Sequence, residues 1–353
     1  MMVAIYVVSP VGLSGKTTII TFLASKAVDL GKKIGYLKPI GVGSAVSSTG
    51  EMMDEDVLSV RETFGLMEDP QILCPVVTEK TCPLIRRESA EVRRKIAESY
   101  RRVSEGKDVV LIEGPDTISG GVSLGCSAPE LAKEFGARIV IVSWVKDENF
   151  LDEILMTVGF CRAHGVEPLG VVLNRVPPEL RETGDLAADR LREEGVEVLG
   201  RVPESEVLGA VTVREILETV GGKVIAGAEG MNNLVQTFLV GAMTMESAIK
   251  YFQRAERKLV IVGGDRTDII SAALETRASA IVLTGNLQPS VKILPRAEEL
   301  KIPLILVPYD TYTTLQKIQL IVGRARPKDR MRLEELKRIF GEGVNWRKIL
   351  EHA

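Results

Sequence analysis

The sequence predicts an α/β protein, in which a parallel sheet covered by helices on both faces is followed by a second, smaller α/β domain. Three observations predict this class. Short apolar runs alternate with longer amphipathic stretches, the pattern of parallel strands joined by crossover helices. The chain has 353 residues, enough for about two domains of about 150 residues. Its composition, 45% hydrophobic and 26% charged, is that of a globular protein and excludes a disordered or fibrous chain.

Most of the predicted strands in the first half are almost entirely apolar, as buried parallel strands should be. They cover residues 3–8, 33–38, 108–112, 137–142 and 169–173. The stretches between them have helical composition and spacing. These predicted helices cover residues 17–30, 56–64, 88–105, 129–135, 150–164 and 185–194.

The Gly221-Gly222 pair marks the predicted domain boundary, where the alternation restarts. We therefore assign residues 1–221 to the first domain, 222–327 to the second, and 328–353 to a charged helical tail at the surface. Within the second domain, predicted strands 258–262, 280–283 and 304–307 alternate with predicted helices 269–276, 291–300 and 313–323.

Charge and hydropathy exclude several classes of function. Lys and Arg total 45 and Asp and Glu total 48, a net charge of −3 without a basic block, which argues against nucleic-acid and anionic-membrane binding. No apolar run approaches the roughly 18 residues of a membrane span. Residues 1–8 lack a basic region and lead directly into a glycine-rich loop, so we interpret them as a buried strand and expect a cytoplasmic protein.

The cysteines and histidines do not have the spacing of a zinc site. They are Cys74, Cys82, Cys126, Cys161, His164 and His352. We expect the thiols to be reduced and structural.

The sharpest motif lies between the first predicted strand and the first predicted helix. It consists of Gly12, Leu13, Ser14, Gly15, Lys16, Thr17 and Thr18. Such a P-loop lets backbone N–H groups surround phosphate oxygens at a helix N-terminus. Lys16 is then expected to bridge the outer phosphates, and Thr17 to place its hydroxyl on Mg²⁺. Pro10 replaces the first glycine of the general G-x-x-x-x-G-K-[ST] pattern, and an ordinary glycine-rich turn is the alternative interpretation.

Charged residues follow three predicted elements near this loop. Lys38 ends the second strand, Asp54 and Asp56 flank the start of the next helix, and Glu113 ends the strand after that. Ligands of open α/β sheets bind at the carboxyl ends of the strands, so we expect Lys38 and Glu113 to face the same crevice as the P-loop. Together these residues predict a site for a metal and a nucleotide.

These residues resemble a known family. Residues 7–18, 35–41, 54–56, 113–114 and 170–176 are similar to dethiobiotin synthetase, and most closely to the dethiobiotin-synthetase-like N-terminal domain of long bacterial phosphotransacetylases. The second half resembles the DRTGG domain of those same proteins, through residues 264–267 and 284–285, with Asn286 where that family often has a second glycine.

The resemblance implies ATP and Mg²⁺ as ligands, and the expected fold becomes that of a P-loop NTPase. It implies that the loop from Gly12 to Thr18 binds triphosphate and that Lys38 neutralises the γ-phosphate or an acyl-phosphate-like species. Asn174 matches an adenine-contacting position. The implied metal ligands are Thr17, Asp56 and Glu113, with Asp54 as an alternative to Asp56.

Two functions remain open. Long phosphotransacetylases carry an acyl-transfer domain after the DRTGG domain, and this sequence lacks it, so we do not expect phosphotransacetylase activity. We favour a nucleotide-dependent sensor that regulates a partner enzyme of acyl metabolism, and we expect a homo-oligomer. The alternative is an ATP-dependent ligase or kinase that acts on a carboxylate or carbamate.

Arg266 allows two interpretations. In the first, Arg266 is part of a regulatory site, because it lies at the carboxyl end of a predicted parallel strand, where ligands bind. In the second, its role is only structural: Asp265 caps the helix that begins near Ile269, and Arg266 pairs with Asp265.

Overall fold

The computed structural model describes residues 2–43, 45–46, 50–78, 88–319 and 330–351. The chain forms two compact units. One comprises Met1–Leu208 together with Arg326–Ala353, and the other comprises Gly209–Ala325.

The first unit is built on a six-stranded sheet in which all neighbouring strands are parallel. The strands of this unit are β1 (Val3–Val8), β2 (Ile34–Leu37), β3 (Ile40–Val42), β4 (Ala45–Val46), β5 (Met52–Met53), β6 (Val76–Thr78), β7 (Val109–Glu113), β8 (Arg138–Trp144), β9 (Gly170–Val176) and β10 (Val198–Pro203). The sheet order is β10-β9-β8-β1-β7-β2, and β3 with β6 and β4 with β5 form two small ladders. The five predicted strands are confirmed within three residues at each end, whereas β10 and the short strands β3, β4, β5 and β6 were not predicted.

Helices connect these strands, as the alternating pattern predicts. They are α1 (Lys16–Asp29), α2 (Glu55–Phe64), α3 (Pro70–Leu73), α4 (Ser89–Ser104), α5 (Ala128–Phe135), α6 (Phe150–Ala163), α7 (Arg181–Glu193) and α8 (Glu206–Gly209). The predicted α/β class and its parallel sheet are confirmed. Cys74, Cys126 and Cys161 are buried free thiols, whereas Cys82 lies outside the described residues.

The second unit has a five-stranded sheet of its own, with the order β12-β17-β16-β15-β14. Its strands are β11 (Val211–Thr212), β12 (Lys223–Ala226), β13 (Leu234–Val235), β14 (Thr237–Val240), β15 (Lys258–Gly263), β16 (Ala280–Thr284) and β17 (Leu304–Leu306). Its helices are α9 (Val213–Val220), α10 (Met245–Phe252), α11 (Thr267–Glu275), α12 (Ile293–Leu300) and α13 (Thr311–Gln319). The end of the predicted helix 313–323 lies outside the described residues.

Both faces of this second sheet are buried. Val260 and Val262 of β15 belong to one apolar cluster, and Leu259 and Ile261 belong to another, because successive side chains of a strand point to opposite faces. The apolar face of α9 joins the second cluster. The boundary between the two compact units therefore lies after Leu208 and not at the predicted residue 221, because α9 packs with the sheet that follows it.

The C-terminal segment differs most from its prediction. Residues 328–353 were expected to form a charged surface tail, but α14 (Arg330–Gly343) and α15 (Trp346–Glu351) pack into the core of the first unit. The ring of Phe340 is fully buried and lies 5.5 Å from that of Phe22 on α1. Lys337 faces outward and pairs with Asp29 at 3.1 Å. The segment is thus an amphipathic part of the first unit.

Over the described ranges, none of the helices has the length and apolar character that crossing a bilayer requires.

Candidate functional site

The predicted P-loop joins β1 to α1. Gly15 is the N-cap of α1 and has a left-handed backbone with φ 94°, while Leu13 has φ 60° and is exposed. Gly15 has no side chain to accept hydrogen bonds from the first turn of α1, so those N–H groups can face an anion. Ser14 is buried, and its hydroxyl donates a 2.8 Å hydrogen bond to the carbonyl oxygen of Val11, which closes the loop. Gly12 lies beside Asp116, and Thr18 is buried in α1.

Lys16 is the first residue of α1 and is almost completely buried. Its ammonium group donates to the hydroxyl of Ser9 at 2.8 Å and to the carbonyl oxygen of Asp116 at 3.1 Å. Burial lowers the pKa of Lys16, and the nearby carboxylates of Glu113 and Asp116 oppose that shift. The lysine thus connects the start of the P-loop to the segment that follows β7.

Glu113 is the centre of the polar network. It ends β7 beside Val7 of β1, and its carboxylate is 1% exposed. Its Oε1 accepts a 2.8 Å hydrogen bond from the Thr17 hydroxyl, and its Oε2 accepts a 2.9 Å hydrogen bond from the hydroxyl of Tyr36. Burial raises the pKa of Glu113, and the charge of Lys38 opposes that shift. Burial and the neighbouring Glu113 raise the pKa of Tyr36 well above its ordinary value, so the phenol stays a donor.

Lys38 lies among three carboxylates. Its ammonium nitrogen is 3.0 Å from the carboxylate of Asp54, 2.7 Å from that of Asp56 and 3.4 Å from that of Glu113. Burial alone would lower the pKa of Lys38, but these three charges outweigh burial and raise it well above its usual value. Lys38 is therefore a permanent cation at the carboxyl edge of the sheet.

The two candidate aspartates have different surroundings. Asp54 is the N-cap of α2, and its carboxylate accepts hydrogen bonds from the backbone N–H groups of Asp56, Val57 and Val42 at 2.9, 3.3 and 2.8 Å. The Asp54 side chain is only 3% exposed, whereas that of Asp56 is 23% exposed. Asp54 is thus committed to the helix cap, and Asp56 is the more accessible carboxylate.

Asn174 lies in the second half of β9 and contacts the P-loop. Its amide nitrogen donates a 2.8 Å hydrogen bond to the carbonyl oxygen of Ser14. A Cβ on Gly15 would lie 2.3 Å from that same nitrogen, so the close approach requires glycine. The structure therefore places Asn174 against the loop rather than beside the carboxylates.

Most of the predicted residues converge at one edge of the sheet. Direct hydrogen bonds and ion pairs connect Thr17, Lys38, Asp54, Asp56 and Glu113. Sequence reasoning missed the hydroxyls of Ser9 and Tyr36 and the carbonyl oxygen of Asp116. Strand alternation from Lys38 is the signal that could have identified Tyr36, because residues two apart on a strand share a face.

A divalent cation is compatible with this donor set. Thr17 and Glu113 bring a hydroxyl and a carboxylate oxygen within 2.8 Å of each other, and Asp56 adds a partly exposed carboxylate. Mg²⁺ prefers such oxygen ligands and takes the rest of its shell from phosphates and water. Within the described ranges, no group of three or more His, Cys, Asp or Glu side chains is arranged as a metal site by itself, and the Lys38 ammonium lies among the carboxylates. The residues therefore fit a cation that arrives with a phosphate ligand.

Arg266 of the second unit has local partners. It is the N-cap residue of α11, its guanidinium pairs with Asp268 at 3.0 Å, and it donates to the carbonyl oxygen of Met243 at 2.9 Å. The structural interpretation is corrected in its partners: α11 begins at Thr267, within two residues of the predicted start, but its N-cap is Arg266 instead of Asp265, and the ion-pair partner of Arg266 is Asp268.

Two family models match the chain, one for each part of it. Residues 3–212, more than half of the chain, match the family described as an AAA domain, and residues 215–321 match the DRTGG domain.

Among curated proteins, the phosphate acetyltransferase of Synechocystis sp. is 23% identical over 363 residues, which cover 99% of this chain and 51% of that protein. The phosphate acetyltransferase of Pseudomonas putida is 26% identical over 340 residues, or 91% of this chain and 47% of that protein. The chain thus spans about half the length of these relatives. The ATP-dependent dethiobiotin synthetase BioD of Methanocaldococcus jannaschii is 24% identical over 215 residues, or 58% of this chain and 91% of that protein.

Among solved structures, the MinC:MinD cell division complex of Aquifex aeolicus has a TM-score of 0.37 and 19% identity, covering 58% of this chain and 83% of that chain. The CBS and DRTGG domains of a Clostridium perfringens pyrophosphatase have a TM-score of 0.30 and 21% identity, covering 47% of this chain and 85% of that chain. By its family matches, the chain belongs to the AAA domain family of dethiobiotin-synthetase-like P-loop proteins and also contains a DRTGG domain.

Proposed function

We propose that this chain is a nucleotide-dependent sensor. Its first domain binds ATP with Mg²⁺, and the presence of ATP in that domain regulates a partner enzyme of acyl metabolism. The observation that carries the proposal is the placement of Lys16 and Thr17 at the start of α1, with the Thr17 hydroxyl 2.8 Å from Glu113. A lysine and a threonine at that position hold the outer phosphates and the metal in P-loop proteins.

Each residue then has a distinct role. Lys16 binds the outer phosphates, Lys38 neutralises charge on the γ-phosphate, and Asn174 contacts the adenine while it holds the loop. Thr17, Asp56 and Glu113 are the proposed Mg²⁺ ligands, and the commitment of Asp54 to the cap of α2 favours Asp56 over it. When bound, the metal would neutralise phosphate charge.

The contacts of Lys16 support a sensor. A phosphate that accepts hydrogen bonds from Lys16 replaces its contacts with Ser9 and with the carbonyl oxygen of Asp116. Occupancy of the loop is thereby transmitted to the segment that follows β7. A ligand shifts a conformational equilibrium only through such differential contacts.

The nucleotide site is tested by calorimetry of ATP binding in the presence of Mg²⁺. Lys16→Ala should abolish measurable binding, because the buried ammonium is the main positive charge at the loop. Lys33→Ala is a matched control. Lys33 is exposed and lies just before β2, at the amino-terminal end of that strand, whereas the P-loop lies at the carboxyl ends of the parallel strands. Equal ATP affinities of the wild type and Lys16→Ala would contradict the proposal.

The alternative function is that of a ligase or kinase acting on a carboxylate or carbamate. It is favoured by Lys38, a buried cation close to Glu113 that could stabilise an acyl-phosphate-like species. The sensor predicts slow hydrolysis of ATP alone, below about 1 s⁻¹, the low end of ordinary enzyme turnover. A faster rate, or a phosphorylated product from labelled ATP and a pool of carboxylic acids, would establish the enzyme instead.

A further inference from the structure

The hydroxyl of Tyr36 contacts Glu113, the carboxylate at the centre of the candidate site. It donates a 2.9 Å hydrogen bond to Oε2 of Glu113, and both side chains are about 99% buried. Tyr36 belongs to β2, at the edge of the six-stranded sheet, whereas the P-loop follows β1. None of the roles assigned above uses this hydroxyl.

The register of the strands explains the contact. Tyr36 of β2 is paired with Leu111 of β7, and Leu111 and Glu113 share a face because side chains alternate along a strand. Lys38 lies two residues after Tyr36 and reaches the same carboxylate. Tyr36 contacts Oε2, and Lys38 lies 3.4 Å from Oε1.

We propose that Tyr36 is the positioning residue of the magnesium site, acting through Glu113. A carboxylate rotates easily about its last torsion, so one anchored oxygen sets the orientation of the other. The Tyr36 hydroxyl holds Oε2 and leaves Oε1 beside the Thr17 hydroxyl, at 2.8 Å. This inference rests on the proposed role of Glu113 as a metal ligand.

Two buried tyrosines provide a matched pair of variants. Tyr36→Phe removes the hydroxyl that contacts Glu113 and keeps the ring. Tyr6 of the neighbouring strand β1 is equally buried, and over the part of the chain that the structure describes its hydroxyl has no hydrogen-bond partner. Tyr6→Phe therefore makes the same chemical change without removing a hydrogen bond to the site.

The experiment measures ATP affinity by calorimetry over a series of Mg²⁺ concentrations and in EDTA. Mg²⁺ should enhance ATP affinity, and for Tyr36→Phe we expect the Mg²⁺ concentration that gives half of this enhancement to rise about tenfold. This is the lower end of the effect of removing a hydrogen-bond partner of a metal ligand. The affinity of Tyr36→Phe in EDTA should stay within about twofold of the wild type, and Tyr6→Phe should match the wild type in both.

Three results would overturn the inference. The first is a Tyr36→Phe variant with wild-type Mg²⁺ dependence, and the second is one that loses affinity equally with Mg²⁺ and in EDTA, which indicates a purely structural role. The third is a wild type whose ATP affinity ignores Mg²⁺, which removes the proposed metal site as well. The first two leave the proposed nucleotide binding intact, so the failures are distinguishable.

A second pair of variants keeps the test decisive if Tyr36→Phe is poorly folded. The pair consists of Glu113→Gln and the double variant Glu113→Gln with Tyr36→Phe. Glu113→Gln removes the buried carboxylate, so the added Tyr36→Phe change no longer leaves a buried charge without its hydrogen-bond donor. We expect Glu113→Gln to lose the Mg²⁺ response and the double variant to show no further change. A further change in Mg²⁺ dependence in the double variant would show that Tyr36 does not act through Glu113.

Discussion

The amide nitrogen of Asn174 donates a 2.8 Å hydrogen bond to the carbonyl oxygen of Ser14 and so attaches the P-loop to β9. β9 is two strands away from β1, which precedes the loop. The loop is therefore held both by the strand before it and by a side chain from elsewhere in the sheet. Support from outside the loop is what a preorganised binding site needs.

Gly15→Ala should disrupt this support. The backbone of Gly15 is left-handed, and the added Cβ would lie 2.3 Å from the amide nitrogen of Asn174. Gly31→Ala is the control, because Gly31 also has a positive φ, of 72°, but nothing lies within 4 Å of its Cβ position. We expect Gly31→Ala to cost about 1 kcal/mol of unfolding free energy and to bind ATP normally. Gly15→Ala should cost more and lose ATP binding. Equal melting temperatures and ATP affinities for the two variants would contradict this prediction.

Phe340→Ala should destabilise the first unit. The side chain is buried in the core against Phe22 of α1, so its truncation should cost about 3–5 kcal/mol in denaturant unfolding. Met156→Ala on α6 is the control, because Met156 is 77% exposed and its loss should change the free energy of unfolding by no more than about 0.5 kcal/mol. Similar values for the two variants would restore the interpretation of the C-terminal segment as a surface tail.

Arg266→Ala should lower the melting temperature by a few degrees and leave ATP binding unchanged. It removes an exposed ion pair with Asp268, which contributes little at the surface, and a hydrogen bond to the carbonyl oxygen of Met243. Arg296→Ala on α12 removes a similarly exposed pair, with Glu299, and should have a smaller effect. The molar mass in solution is measured by light scattering with and without ATP. A change in that mass for Arg266→Ala but not for Arg296→Ala would contradict the structural role and support a regulatory site.

The stability of the chain should depend on Cys161 at alkaline pH. Burial, with a contribution from Glu167, raises the pKa of this thiol to about 12. In the unfolded chain the thiol ionises at its ordinary pKa of about 8.5. The unfolded state then binds fewer protons than the folded state between these values, so the free energy of unfolding falls as the pH rises through that window.

Denaturant midpoints at pH 8 and pH 10.5 test this dependence. Cys161→Ala should show a smaller fall between the two pH values than the wild type, because it lacks the titrating thiol. In mass spectrometry, Cys161 of the wild type should resist alkylation at pH 8 until the chain is unfolded. Rapid alkylation of Cys161 in the folded protein would contradict the prediction.

The site was predicted best where its residues belong to one short segment. Lys16 and Thr17 follow a strand and start a helix, and that order is encoded by apolar periodicity and by glycine positions within a few residues. Lys38 and Glu113 could also be predicted, because the carboxyl ends of parallel strands meet at one edge of a sheet. Asp54 and Asp56 could not be distinguished, because their difference depends on which carboxylate accepts backbone N–H groups from α2 and from Val42.

The sequence by itself determined the α/β class, the order of most strands and helices, and the P-loop, because periodicity, capping and glycine conformations are local properties of the chain. Only the tertiary structure decided that Tyr36 contacts Glu113, 77 residues away, because that contact depends on the register between β2 and β7. It also decided that the charged C-terminal segment is part of the first unit. The apolar face of that segment is defined by the surfaces of α1 and β10 that it covers, and those surfaces come together only when distant parts of the chain fold onto each other.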